Sequence, residues 1–224
     1  MRPDKLKEHI FSTYKNVRFG IAAIGFGFPF VLGLLGYLYG IDLQNSMSAY
    51  YWAASTGYPP MRIWFVGILF VVGVLLYLYK GFSDGENWAL NAAAACAFGI
   101  ALFPMPWDCA PSCARFTVHG AFAVVLFVCI AYVAIRCTEQ TLRYVRDERL
   151  KHKYRVVYRI SGACMAVSPL IAFVLALVFN DINKYVLAFE ATGLWAFGVY
   201  WWTKSAELAH SGAELLALHE RIAT

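Results

Sequence analysis

The stretch "FGIAAIGFGFPFVLGLLGYLYG" runs from Phe19 to Gly40 without a charged side chain. A helix needs about 20 apolar residues to cross a hydrocarbon core, and this stretch has that length. It has no polar face, whereas helices of soluble cores keep one. It is too long for a signal-peptide core and lacks a small-x-small cleavage site, so it reads as a retained membrane helix. Five further runs repeat the pattern: Met61–Tyr79, Trp88–Met105, Phe116–Ile135, Val156–Phe179 and Tyr185–Thr203. Arg159 and Ser161 blur the start of the fifth span. The 224-residue chain is 60% hydrophobic and 15% charged, less charged than an ordinary soluble domain. The expected fold is all-α: one polytopic membrane domain, a bundle of six transmembrane helices with short loops.

The basic residues give this bundle an orientation. Five precede the first span (Arg2, Lys5, Lys7, Lys15, Arg18), and eight lie between the fourth span and the start of the fifth (Arg136 to Arg159). Lys80, Lys204 and Arg221 fall on the same side of an alternating topology. Only Arg62, Arg115 and Lys184 fall on the other. Cytoplasmic loops carry the excess of Lys and Arg, so both termini are expected in the cytoplasm. The net charge of +5 is then a topology signal and implies no nucleic acid. Residues 1–18 place Leu6, Ile10, Tyr14 and Val17 at helical spacing, either as an amphipathic surface segment or as a plain basic flank. Residues 136–155 form a basic cytoplasmic loop, expected to prolong the fourth span as a helix; it serves as topology signal, with anionic-lipid binding as the alternative. The tail, 204–224, aligns Leu208, Leu215, Leu218 and Ile222 for docking on the membrane or a partner. Gly36 and Gly40 form a G-x-x-x-G pair, read as close packing inside the bundle; a homo-oligomer stays open. No half of the chain repeats the other, so an inverted-repeat transporter is unsupported.

Glu190 stands out in the sixth span. It lies five residues past Tyr185, roughly 8 Å below the outer end at 1.5 Å per residue. An acidic residue at the centre of a span costs about 2.5–3.5 kcal/mol on insertion scales, less near the interface, and such residues mark functional sites by default. Glu190, Phe197, Trp201 and Lys204 share one helical stripe, expected to face inward, with Gly193 beside it admitting another helix. His119 and Arg62 are the partners expected at similar depth, with Arg115 a weaker third. Asp108, Tyr50, Tyr51, Ser46 and Ser48 lie in the loops above. The cytoplasmic ends of the spans show no comparable set. The trio Arg62, His119 and Glu190 reads either as a structural clamp or as a ligand or proton site opening outward.

The cysteines divide by topology. Cys96, Cys129 and Cys164 lie within spans as packing residues, and Cys137 sits at the reducing cytoplasmic edge. Cys109 and Cys113 flank a proline in the outer "CAPSC", where a disulfide is expected. A metal held by Cys109, Cys113, Asp108 and His119 is chemically conceivable, but a closed site needs further thiols or imidazoles, and none is assigned.

"SMSAYY" after the first span, "MRIWFVG" opening the second, "GIALFP" closing the third and "FEATGLWAFGVYWWTK" in the sixth occur in order along most of the chain. In this the chain resembles a family of bacterial six-span membrane proteins of unknown function. The resemblance implies the fold and the inner-membrane setting, and no activity. The family commonly has an acidic residue after the arginine of the second motif; Ile63 stands there, which leaves Arg62 free for Glu190. Among enzyme classes, an intramembrane lipid hydrolase would use Ser46 or Ser48 as nucleophile, His119 as base and Glu190 or Asp108 as orienter. No G-x-S-x-G context supports it. The histidine triad of metal-dependent intramembrane hydrolases is missing, and Lys204 lies too near the inner end for a retinal protein. The sequence favours an outward pocket of Arg62, His119 and Glu190, with Asp108, Tyr50, Tyr51 and Ser48, under a lid formed by Ser46–Tyr58. Its expected role is binding a lipid or small amphiphile as a sensor or accessory protein, without a cofactor. A lipid-modifying hydrolase and a partner-binding membrane protein are the alternatives.

Overall fold

A computed structural model describes residues 3–106, 117–179 and 184–217. Among them every regular element is helical. The helices are α1 (Pro3–Leu38), α2 (Arg62–Leu78), α3 (Asp84–Leu102), α4 (Val118–Tyr132), α5 (Glu139–Leu142), α6 (Glu148–Phe179) and α7 (Lys184–Ser211). A 3-10 turn at Ser48–Tyr51 sits in the long loop after α1, and a π turn at Val133–Cys137 carries α4 on to α5. The amphipathic N-terminal stretch and the first apolar stretch are therefore one continuous helix. The basic segment after the fourth span is partly helical, as its sequence suggested.

The six long helices form a closed ring in chain order. α1 packs on α2, α2 on α3, α3 on α4, α4 on α6, α6 on α7, and α7 returns to α1. Elements consecutive in sequence are usually adjacent in space, and the ring follows that rule. The closing contact, α1 on α7, is made by glycine. A Cβ on Gly25 would lie 2.8 Å from the backbone nitrogen of Gly198, a distance real side chains do not tolerate. Without a large hydrophobic force between helices in lipid, such close backbone approach holds them together. Gly193 acts likewise, since a Cβ there would meet Ser168 Oγ of α6 at 2.6 Å.

Gly36 and Gly40 serve two separate purposes. Gly36 makes room for the ring of Tyr50, whose Cε1 would be 3.0 Å from a Cβ. Gly40 has φ of 71° and ends α1. Its N–H donates to Tyr37 O, and the Ile41 N–H donates to Gly36 O at 2.8 Å, the Schellman arrangement that satisfies the last carbonyls.

Among the described residues three helical segments are long and apolar enough to cross a membrane: His9–Leu38, Val118–Leu142 and Glu148–Leu175. Arg62–Leu78 is apolar but shorter. α3 and α7 fall below that apolarity because α3 opens with Glu86, Asn87 and Asn91, and α7 mixes Glu190 with tyrosine and tryptophan. The protein is thus an all-helical chain with three strong candidate spans.

Candidate functional site

Glu190 lies in the second turn of α7, and its inward stripe is as the spacing indicated: Phe197, Trp201 and Lys204 are all buried. The carboxylate meets the loop after α1. Ser46 Oγ donates to Oε1 at 2.9 Å, and the Met47 backbone N–H donates to Oε2 at 2.6 Å. Asn45 O also accepts from the Leu187 N–H of α7 at 3.1 Å. The loop is therefore pinned to the first turns of α7, and both carboxylate oxygens are satisfied by uncharged donors. Hydrogen bonds to a charged group contribute about 1.5–3 kcal/mol, enough to offset much of the desolvation of a carboxylate near an interface.

His119 holds the other side of the same loop. Thr117 caps α4 by accepting from the Gly120 N–H at 3.1 Å, which sets His119 in the first helical turn. Its Nδ1 lies 2.9 Å from the carbonyl oxygen of Phe103, at the end of α3. A carbonyl only accepts, so Nδ1 carries the proton. Nε2 is then the acceptor, and Ser48 Oγ, 2.7 Å away, donates to it. The Ser48 N–H donates in turn to Ser46 Oγ at 3.1 Å. A continuous chain of polar contacts thus runs from Glu190 on α7, through Ser46 and Ser48, to His119 on α4 and Phe103 on α3.

The structure brings together Glu190, His119 and Ser48 from the expected set, but Glu190 and His119 share the loop and do not pair with each other. Arg62 is a correction. It is exposed at the start of α2 and makes no ion pair with Glu190 among the described residues; the carboxylate takes its hydrogen bonds from Ser46 and Met47. Tyr51 turns away toward α2, edge-on to Phe65 with ring centroids 6.4 Å apart. Tyr50 is buried against Gly36. Trp52 donates from Nε1 to Met105 O at 2.9 Å, tying the far end of the loop to the segment after α3. Asp108 and the Cys109–Cys113 pair lie outside the described residues. No group of three potential metal ligands occurs among the described residues, and both His119 nitrogens are engaged in hydrogen bonds. The sequence pointed to the side chains; the Met47 N–H and Phe103 carbonyl that orient them are backbone groups with no sequence signature.

Beside this anchored loop an apolar groove of about 710 Å³ opens between α1 and α7. Phe30 and Trp195 stack along it with centroids 5.6 Å apart. Leu34, Leu187, Ala188 and Ala191 continue the wall, and its polar elements are Tyr50 and Lys184. Gly27 and Gly33 form part of the lining, and a Cβ at either would meet nothing within 4 Å. No protein-family model matches the chain, and no curated protein or solved structure matches it either. Function has to be argued from this geometry alone.

The opposite end of the ring corrects a second expectation, that the cytoplasmic ends lack a polar set. Lys204 and Glu207 of α7 are completely buried, with Nζ 3.3 Å from Oε2. Tyr158 OH of α6 donates to the same Glu207 oxygen at 2.7 Å, and Thr141 Oγ1 lies 3.1 Å from it. Lys204 Nζ also donates to Thr141 Oγ1. Glu86, 1% exposed, accepts from the Phe82 N–H at 2.8 Å. Arg18 of α1 binds Glu214 at 2.5 Å, just after the chain reverses at Gly212. The i,i+3 spacing of Lys204 and Glu207 was the available signal. Its visibility was low, because the same pattern on a solvated helix means little.

Proposed function

We propose that the protein is a six-span bacterial inner-membrane protein with cytoplasmic termini, which binds a lipid or small amphiphile on its outer side as a sensor or accessory protein. The carrying observation is the groove between α1 and α7. Its size falls within the usual range of about 300–1,000 Å³ for ligand sites, and its wall is apolar with a few polar groups at hand. The hydrocarbon chain lies along Phe30, Leu34 and Trp195. The polar head meets Lys184 and the loop that Glu190 and His119 hold in place. The polar chain from Glu190 to Phe103 fixes the loop and leaves the groove to do the binding.

Gly27 and Gly33 offer a clean test. A Cβ at either position meets nothing within 4 Å, so leucine at both enters the groove without a clash at its first carbon. Glycine inside a helix is worse than alanine by roughly 0.5–1 kcal/mol, so the variant should be at least as stable as the wild type. Native mass spectrometry with lipid analysis should find a retained amphiphile in the wild type and its loss in Gly27→Leu/Gly33→Leu. Equal retention by both proteins, or none by the wild type across mild detergents, would overturn the proposal.

A second reading rests on the Ser48–His119 contact. A hydroxyl hydrogen-bonded to an imidazole, whose other nitrogen is oriented by an acceptor, is the arrangement that activates a serine nucleophile. Here a backbone carbonyl takes the orienting role. The backbone N–H groups around Ser48 are already committed: Met47 to Glu190, Ser48 to Ser46, Ala49 to Ser46 O and Tyr50 to Met47 O. These four N–H groups are therefore not free to serve as oxyanion donors, and acyl transfer depends on such donors for about 10²–10³ in rate. This places a lipid-modifying hydrolase behind the binding role. Labelling of Ser48 by a fluorophosphonate, abolished in Ser48→Ala, would reverse that order.

A further inference from the structure

The Glu207 end contains more buried charge than its hydrogen bonds settle. Arg18 is matched by Glu214. That leaves Lys204 as the one cation between two buried carboxylates, Glu207 and Glu86, among the described residues of the cluster. An unmatched carboxylate in a nonpolar interior is costly and takes up a proton in preference to remaining charged. Thr141 and the Phe82 N–H donate hydrogen bonds but bring no positive charge.

A second observation points to the same place. Among the described residues, Glu207 Oε1 meets no protein partner, and neither do the Tyr200 hydroxyl or the Trp201 indole N–H. All three residues are 0% exposed. Tyr200 packs edge-on to Tyr158, the residue that donates to Glu207, at 5.6 Å, and Trp201 packs on Tyr200 at 5.2 Å. Unpaired buried polar atoms are rare, and one of these is an oxygen of a fully buried carboxylate. A groove of about 400 Å³ reaches the Gly81–Ser83 turn, whose Phe82 N–H holds Glu86, and also Glu214. Lys80 and Arg143 line its mouth.

We infer that this cluster is a proton-binding site at the cytoplasmic end, in which Glu86 and Glu207 share one exchangeable proton around Lys204. The step is a plain protonation. A carboxylate oxygen accepts a proton delivered along the groove, an O–H bond forms, and the cluster gains one positive charge. Glu86 is faced by Lys204, Glu207 and Tyr200 from α7, by Tyr79 just after α2, and by Cys137 from the π turn. Tyr158 and the Arg18–Glu214 pair lie around the same cluster. Burial raises the Glu86 carboxyl above its ordinary value of 4.5; Lys204 and the Phe82 N–H act the other way, and Glu207 raises it further. A carboxyl raised in the folded state favours folding at low pH, and that contribution fades as pH rises from the ordinary value through the raised one.

Infrared difference spectroscopy of the protein in nanodiscs, titrated from about pH 5 to about pH 8, tests the site. The wild type should show the carbonyl stretch of a protonated carboxylic acid, shifted in heavy water and lost as pH rises. Glu86→Gln, an isostere of the protonated acid, should remove that band and flatten the fall of Tm with pH. Should Glu86→Gln not fold, Glu207→Gln should displace the midpoint of the remaining band. The inference is overturned if the wild type shows no such band, if the band survives both substitutions unshifted, or if it follows sodium concentration at fixed pH.

Discussion

Two glutamates of one helix, Glu190 and Glu207, are held in opposite ways. Glu190 takes a hydroxyl and a backbone N–H, one on each oxygen, and no cation. Glu207 takes a lysine, a tyrosine and a threonine hydroxyl on one oxygen, and leaves the other without a partner among the described residues. The first arrangement is complete and local, and it fastens a loop. The second gathers α3, α5, α6 and α7 around charges buried away from water. A carboxylate that is complete serves geometry; one that is charge-mismatched and half-bonded retains chemistry to do. This contrast separates the loop anchor from the proposed proton site.

The largest expected effect follows from cutting the buried ion pair. Lys204→Met strands Glu207, and removing one partner of a buried pair costs about 3–5 kcal/mol. For chains of about 150–250 residues each kcal/mol moves Tm by about 2–4 °C, so the melting temperature should fall by on the order of 10 °C. Adding Glu207→Gln to that variant should restore much of the loss, because it removes the stranded charge. If Lys204→Met melts like the wild type, the two ends are not energetically different and the contrast fails.

Gly25→Leu should come next. The crossing at Gly25 and Gly198 lies between the two ends and keeps both on a common axis. Forcing a side chain into it costs about 1–3 kcal/mol by overpacking. Gly27→Leu, two residues along on the open side, is the control and should cost nothing. Thermal unfolding of the pair separates the loss of the helix contact from any general effect of replacing glycine.

Much of this was legible before the coordinates. Long apolar runs give the helices, because a helix with no polar face has only lipid or protein to meet. Glu190 was visible as an anomaly, and its stripe through Phe197, Trp201 and Lys204 follows from helical spacing. The pairing was not legible. A guanidinium looks like the natural partner of a buried carboxylate, but Ser46 and Met47 reach it first, because the loop returns over the first turns of α7. The Glu207 cluster was hidden for a different reason. Arg18, Glu86 and Glu207 stand among many other charges in the sequence, and although the stripe turned Lys204 inward, nothing marked these three as its buried neighbours. The Gly25–Gly198 crossing is likewise spread over two helices at opposite ends of the chain.

At the Glu190 end the effects should be smaller. Glu190→Gln keeps one acceptor oxygen but turns an N–H₂ toward a donor, leaving one hydrogen bond unmade at a cost of about 1–3 kcal/mol. A Tm drop of several degrees, with the amphiphile weakened through a loosened loop, is the expected result.

The smallest effect isolates the far end of the same polar chain. Ser48→Ala removes one neutral hydrogen bond to His119 Nε2, worth about 1 kcal/mol, and leaves Glu190, Ser46 and Met47 untouched. It should lower Tm by only a few degrees and leave lipid retention as in the wild type, because the groove between α1 and α7 does not contain Ser48. A variant that melts normally and retains its amphiphile, yet no longer turns over a lipid ester that the wild type cleaves, would make the Ser48–His119 contact catalytic. The loop would then be a working site held in register by Glu190, and the contrast between the two ends would have to be redrawn.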